Sequence, residues 1–203
     1  MASIDTRTVP EIVPARRRFL QGAGKASLSA TAVALLIGCE TMASSASRQG
    51  ASDPKKDVSI LNVALGLEHE AINAYQLGAE SGLLSQEVLP VAVLFQSHHK
   101  EHRDALMATI RTLGGAAVEE KAIGEYAKAL GAGGLKTQGD VLTLAARLER
   151  GAANAYLGVI PAFADPALAK VSGRLAADET MHWALLASAL GQPVPEKALS
   201  FGA

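Results

Sequence analysis

The chain of 203 residues carries 19 Lys and Arg against 20 Asp and Glu, a formal charge of -1, on a composition that is 49% hydrophobic and 4% aromatic. That length suits one globular domain with room for an appendage, and a balanced charge without a basic stripe excludes electrostatic nucleic-acid binding. The single cysteine, Cys39, excludes an intramolecular disulfide and a thiolate-built zinc or iron–sulfur site, so any metal must be held by His and carboxylate.

Residues 1–46 read as a targeting segment. Its apolar run, Ala26 to Gly38, has 13 residues. As helix it would be about 20 Å long, short of the roughly 30 Å that a membrane-spanning helix must cross; it reads as the apolar region of a signal. Ahead of it, Arg16, Arg17, Arg18, Phe19 and Leu20 resemble the twin-arginine export signal, Ser/Thr-Arg-Arg-x-Phe-Leu-Lys, with Ala15 in place of the hydroxyl residue and Gln21 in place of the lysine. Leu36-Ile37-Gly38-Cys39 resembles a lipobox, at which the chain is cut before Cys39 and the cysteine acylated. The other reading is cleavage after Ala46, with Ser44 and Ala46 as the small residues. Cleavage before Cys39 leaves 14 basic and 18 acidic side chains, a charge of about -4. The resemblance implies export by the twin-arginine translocase to the periplasm, with a membrane tether through Cys39 if it is lipidated. Because that route carries folded proteins, it also points to a cofactor inserted before export.

Residues 47–56 form a small, polar tether. A helical domain is predicted over 57–190, followed by a tail over 191–203. Four long helices are expected, over 57–80, 86–113, 139–162 and 166–190. Their start signals are Asp57, Ser85 with Glu87, and Asp165 with Pro166; Gly114-Gly115 and Gly191 supply stops. Short links make the first two and the last two helices antiparallel hairpins. The intervening stretch of about 25 residues contains a shorter helical segment near 118–130 and is long enough to run the length of a bundle.

The segment Leu67-Glu68-x-x-Ala71-x-Asn73-Ala74-Tyr75 recurs as Leu148-Glu149-x-x-Ala152-x-Asn154-Ala155-Tyr156. Histidines follow in step, His102 lying 34 residues after Glu68 and His182 lying 33 after Glu149, so the chain reads as two copies of one helical hairpin. On a helix Glu68 and Tyr75 lie within about 20° of one face, among Leu61, Leu65, Ala71 and Ile72. Glu149 sits among Leu142, Ala145, Ala146, Ala153 and Tyr156; Glu179 and His182 are spaced i and i+3 beside Leu175 and Leu186. Three carboxylates therefore point into an apolar core, where each needs a proton, a cation or a metal. The stripes carry no Lys or Arg. They carry histidine: His69, His98, His99, His102 and His182 all fall on these helices near the level of the glutamates. Imidazole with carboxylate suits Fe, Mn or Zn better than Ca or Mg.

The order Glu-x6-Tyr, His-containing helix, Glu-x6-Tyr, Glu-x-x-His resembles the ferritin-like superfamily, with spacing nearest to rubrerythrins, over residues 60–190. The resemblance implies an all-α four-helix bundle of two antiparallel hairpins joined by a long crossover. In its core, one Glu from each of two helices and a Glu-x-x-His from each of the others hold a di-iron or di-manganese pair. Carried over, the ligands are Glu68, Glu149, Glu179 and His182, with His99-x-x-His102 standing where the second Glu-x-x-His belongs. Three carboxylates against two divalent ions leave a residual +1, and occupancy by a single metal enters the alternatives. His98, at i and i+4 from His102, is the alternative to His99; Glu101 and His69 lie about 100° off the ligand stripe. Tyr75 and Tyr156 read either as hydrogen-bond donors to a ligating carboxylate or as core aromatics satisfied elsewhere. Trp183 reads as packing.

Two classes of function follow. One is a redox centre at which Fe or Mn reacts with dioxygen or peroxide; rubrerythrins usually add a rubredoxin module with cysteine ligands, and without one an external electron donor is required. The other is a non-catalytic metal-binding or stress-associated module of the cell envelope.

Overall fold

The computed structural model describes residues 54–202; the targeting segment with Arg16, Arg17 and Cys39 and most of the tether lie outside them. Five α-helices, α1 (Pro54–Glu80), α2 (Leu89–Thr112), α3 (Ile123–Ala129), α4 (Gln138–Val159) and α5 (Pro166–Ala189), and two 3-10 turns are the regular elements; no strand occurs among the described residues. Nor, among them, is any helix long and apolar enough to cross a membrane. The fold is an all-helical bundle. Helices α1 and α2 form one closely packed hairpin and α4 and α5 the other, with α1 laid against α4 between them.

Helix ends follow local chemistry. Gly114, at φ 75°, and Gly191, at φ 67°, stop α2 and α5 in the left-handed region. Asp165 caps α5 through the Ala167 amide at 2.7 Å, with Pro166 at the helix entrance. Three starts differ from expectation. Helix α2 begins at Leu89 rather than at 86: Ser85 and Glu87 fall in the turn before it, and Val88 at its N-cap offers no side-chain cap. Helix α1 begins before Asp57, whose carboxylate is buried and accepts from the Ala164 amide at 3.1 Å, pinning the start of α1 to the α4–α5 turn. Helix α4 is capped by Thr137, which exchanges hydrogen bonds with Asp140 in a capping box, with Asp140 in the role usually filled by Glu or Gln.

Two apolar clusters divide the core. One gathers Leu61, Leu65, Leu106, Ile110, Tyr156, Leu168 and Leu175; the other gathers Tyr75, Phe95, Leu142, Ala146, Trp183 and Leu186. Following the clusters along each helix shows α2 and α4 running the same way, opposite to α1 and α5. The connection through α3 must therefore return the length of the bundle before α4 begins. It is held on its way by Asn62, whose amide group donates to Ala116 O at 2.9 Å while its oxygen accepts from the Val118 amide at 2.8 Å. The tail folds back at Phe201, which meets Trp183 edge to face with ring centroids 5.0 Å apart.

Candidate metal centre

Between the two apolar clusters lies a polar layer to which all four long helices contribute: Glu68 from α1, His99 and His102 from α2, Glu149 from α4, Glu179 and His182 from α5. All six are buried, Glu179 and His182 at 0% exposure. Each occupies the inward stripe of its helix between two core residues, so the polar layer follows from the same periodicity that builds the core.

These side chains form two overlapping quartets, Glu68–His99–His102–Glu179 and His99–Glu149–Glu179–His182, and within each the donor atoms all lie within 4.8 Å of one another. Glu179 and His99 belong to both. The Nδ1 atoms of His102 and His182 lie 3.2 and 3.3 Å from the two Glu179 oxygens, and His182 Nδ1 is 3.4 Å from Glu149 Oε2. The His99 ring spans the centre, with Nδ1 2.8 Å from Glu68 Oε2 and Nε2 3.1 Å from Glu149 Oε1.

Both tyrosines reach the layer, and they do so crosswise. Tyr75 on α1 donates to Glu149 on α4, and Tyr156 on α4 donates to Glu68 on α1. Each copy of the repeat thus orients the other's carboxylate. Burial, and then the charge of Glu149 or Glu68 beside it, raises the phenol of Tyr75 or Tyr156 well above the usual range, so both stay neutral donors.

Electrostatics divide the cluster. Burial alone would raise Glu68, but contacts from His102 and His99 overcome it and hold the carboxyl down at about 2; Glu149 is likewise lowered against its burial by His182 and His99. Burial would lower the histidines, yet carboxylate partners raise His99 to about 10 and His102 to about 12. Without metal, then, the carboxylates hold His99, His102 and also His182 toward the charged imidazolium form, and are themselves held toward the charged form by them. Glu179 is different: burial raises it, and neither of its oxygens, nor His102 Nδ1, makes a hydrogen bond although all are buried. Donor atoms that converge without bonding to one another are what metal coordination requires and what a hydrogen-bonded core avoids. The residues present fit a metal.

Outer contacts complete the histidine orientations. His102 Nε2 lies 3.3 Å from Asp178 Oδ2, and His182 Nε2 lies 2.9 Å from His98 Nδ1. Asp178 escaped sequence reasoning because it sits off the inward stripe. Its position immediately before Glu179 was the available signal, since a ligating imidazole commonly donates its second N–H to a carboxylate.

His98 and Glu101 stand in neither quartet. His98 lies one residue round the helix from His99 and therefore reaches the outer edge of His182, and Glu101 is exposed for the same rotational reason. His69 is buried but turned to the crossover, with Nε2 3.3 Å from Val118 O. The repeated asparagines acquire a role: Asn73 donates to Glu120 on the crossover, and Asn154 accepts from the Gly202 amide at 2.8 Å on the tail. At matching positions, each ties down the segment that follows its hairpin.

A family model described as a ferritin-like domain matches residues 56–192. Among solved structures, the fold is similar to that of a conserved hypothetical protein, rv2844, from Mycobacterium tuberculosis, with a TM-score of 0.58 and 19% identity over 70% of this chain and 96% of that one. No curated protein sequence matches the chain.

Proposed function

Since the chain belongs to the ferritin-like domain family, and its buried His and Glu clusters are compatible with a metal site, we propose that the six-residue layer holds two iron or manganese ions and reacts with dioxygen or peroxide. The observation that carries this reading is the pair of overlapping quartets sharing Glu179, a carboxylate with two buried oxygens free of hydrogen bonds. The ions would supply the electrons and the affinity for oxygen species.

The protein's own residues do the rest. Glu68 and His102 would hold one ion and Glu149 and His182 the other, with Glu179 between them. Tyr75 and Tyr156 fix the orientation of Glu149 and Glu68, and Asp178 fixes the His102 ring. The apolar clusters on either side keep the layer dry.

His99 supports a second reading. A neutral imidazole offers one lone pair, so His99 can ligate one ion only, while both of its nitrogens approach a glutamate. A non-catalytic envelope protein holding a single ion, with His99 retained as the counter-charge, fits that arrangement. Anaerobic loading of the full-length protein with Fe(II), followed by peroxide and stopped-flow absorbance, separates the two. Two ions per chain, oxidised faster than free Fe(II), are expected; one stable ion that peroxide leaves unchanged would establish the second reading.

For location, the proposal is export by the twin-arginine route to the periplasm, with a tether through Cys39 and electrons from an external donor. It rests on the residue patterns around Arg16, Arg17 and Cys39. Replacing Arg16 and Arg17 with Lys should leave the precursor uncut in the cytoplasm, and Cys39→Ala should abolish lipid labelling.

A further inference from the structure

Two side chains of the second apolar cluster have dual placement. At the metal centre, Tyr75 donates its hydroxyl to Glu149, and the Phe95 ring stacks on His182 with centroids 4.0 Å apart. The same two residues line a cavity of about 200 Å³ at the end of the bundle where α1 and α5 finish and α2 and α4 begin. Ala92, Leu142, Ala145 and Leu186 contribute to its wall. Among the described lining residues, one is charged: Glu87, an exposed side chain in the turn before α2. Phe95, Leu142 and Leu186 are buried, so the cavity is set within the bundle rather than being a loose surface patch.

We propose that this cavity binds a neutral molecule with an alkyl chain of about eight carbons and holds it one aromatic ring away from the metal centre. Size and polarity set the class. An apolar cavity of about 150 Å³ takes up benzene, so the larger volume here accommodates a longer aliphatic body. Among the described lining side chains the one hydrogen-bond donor, the Tyr75 hydroxyl, is committed to Glu149. A charged headgroup drawn inside would lose its hydration without a partner, and a carboxylate would also meet Glu87. Neutral alcohols, aldehydes or hydrocarbons satisfy these conditions and fatty-acid anions do not. Binding stands on the cavity alone. That the bound molecule is the partner of the metal chemistry rests on the reading given under Proposed function.

The test uses the full-length protein and a fluorescent neutral probe, N-phenyl-1-naphthylamine, displaced by a series of straight-chain alcohols. Binding with one site per chain should tighten about fourfold per methylene and level off near 1-octanol, with octanoate at neutral pH at least tenfold weaker. Ala92→Phe and Ala145→Phe, which fill the cavity, should each weaken 1-octanol at least tenfold while stoichiometric Co(II) uptake is retained. Glu87→Lys, at an exposed position, keeps the proposal testable if the filled variants do not fold; it should narrow the gap between octanoate and 1-octanol. Absence of a chain-length dependence, octanoate binding as tightly as 1-octanol, or filled, folded variants binding like the parent would overturn the proposal. Octanol binding without Co(II) uptake would leave the cavity standing and remove the metal reading instead.

Discussion

The two hairpins present almost the same set of groups to the centre. From the first come Glu68, Tyr75 and His102; from the second, Glu149, Tyr156 and His182. Within the quartets they part at one position, where the first hairpin has His99 and the second has Glu179; just outside them they part at the residue before, where His98 backs His182 and Asp178 backs His102. The tyrosine hydrogen bonds are symmetric, each crossing to the opposite glutamate, while the charge is not. Among the described residues, His99 is the one cation that touches both outer carboxylates of the metal-free protein, whereas Glu179 sits among imidazoles with its oxygens unbonded. One copy of the repeat supplies the internal counter-charge and the other supplies the shared ligand. Stability without metal rests on the first, and metal affinity on the second.

The strongest way to break this division is Glu179→Leu. Both quartets lose their common carboxylate, so affinity for Co(II) or Fe(II) should fall more than about 100-fold at every site. Metal-free stability should move the other way, rising by about 1–3 kcal/mol as two unbonded buried oxygens are removed. Titration calorimetry and denaturant melts check the two halves. A variant that loses stability without metal would show that Glu179 belongs to the structural half after all.

His99→Glu reverses the difference and makes the hairpins alike. Glu68 and Glu149 would lose their shared cation and the layer would gain a fourth buried acid, so the metal-free protein should lose about 3–5 kcal/mol. With four carboxylates for two divalent ions, metal binding should tighten at least tenfold. Unchanged melting of the metal-free variant would mean that His99 does not act as counter-charge.

How much of this was readable beforehand depends on the physical origin of each part. The bundle, its hairpins and the inward glutamates follow from helical periodicity and an internal repeat, both local properties of the chain; Glu68, Glu149, Glu179 and His182 could be placed from spacing alone. The role of His99 needed a ring orientation, because adjacent His98 and His99 differ only by their rotation about α2. Crosswise pairing of Tyr75 with Glu149 was hidden, since a repeat shows that two pairs are equivalent without showing which partners join. Asn73 and Asn154 bond to segments on the crossover and the tail that carry no periodic signal. Helix ends were less legible where a cap was also a tertiary contact. Asp57 looks like a helix start and instead anchors Ala164.

Acidity and alkalinity sharpen the comparison further. Glu68, held at about 2, contributes stability that is complete above its ordinary value near 4.5 and is lost as pH falls toward 2. His99 and His102, raised to about 10 and about 12, contribute stability that is complete below their ordinary value of 6.5 and is lost as pH rises through the raised values. The metal-free protein should therefore have a melting plateau between about pH 4.5 and 6.5 and soften above it. Metal must displace the protons on these imidazoles, so Co(II) affinity should increase over the same alkaline range, with protons released on binding. If stability and affinity rose together with pH, the histidines would not be exchanging protons for metal.

The smallest expected effect tests the symmetric part. Tyr75→Phe and Tyr156→Phe each remove one donor from one buried carboxylate, Glu149 or Glu68, without changing the charge of the layer. Loss of an orienting hydrogen bond to a ligand commonly weakens metal binding by about tenfold, and leaving an acceptor short inside the core costs about 1–3 kcal/mol. Because the two bonds are crosswise equivalents, the two variants should fall together, within about threefold in Co(II) affinity. The tyrosines also belong to different apolar clusters, Tyr156 with Leu65 and Leu175 and Tyr75 with Phe95 and Leu142. A marked inequality between the single variants would therefore place part of the asymmetry in the flanking packing, beyond the charge difference at His99 and Glu179.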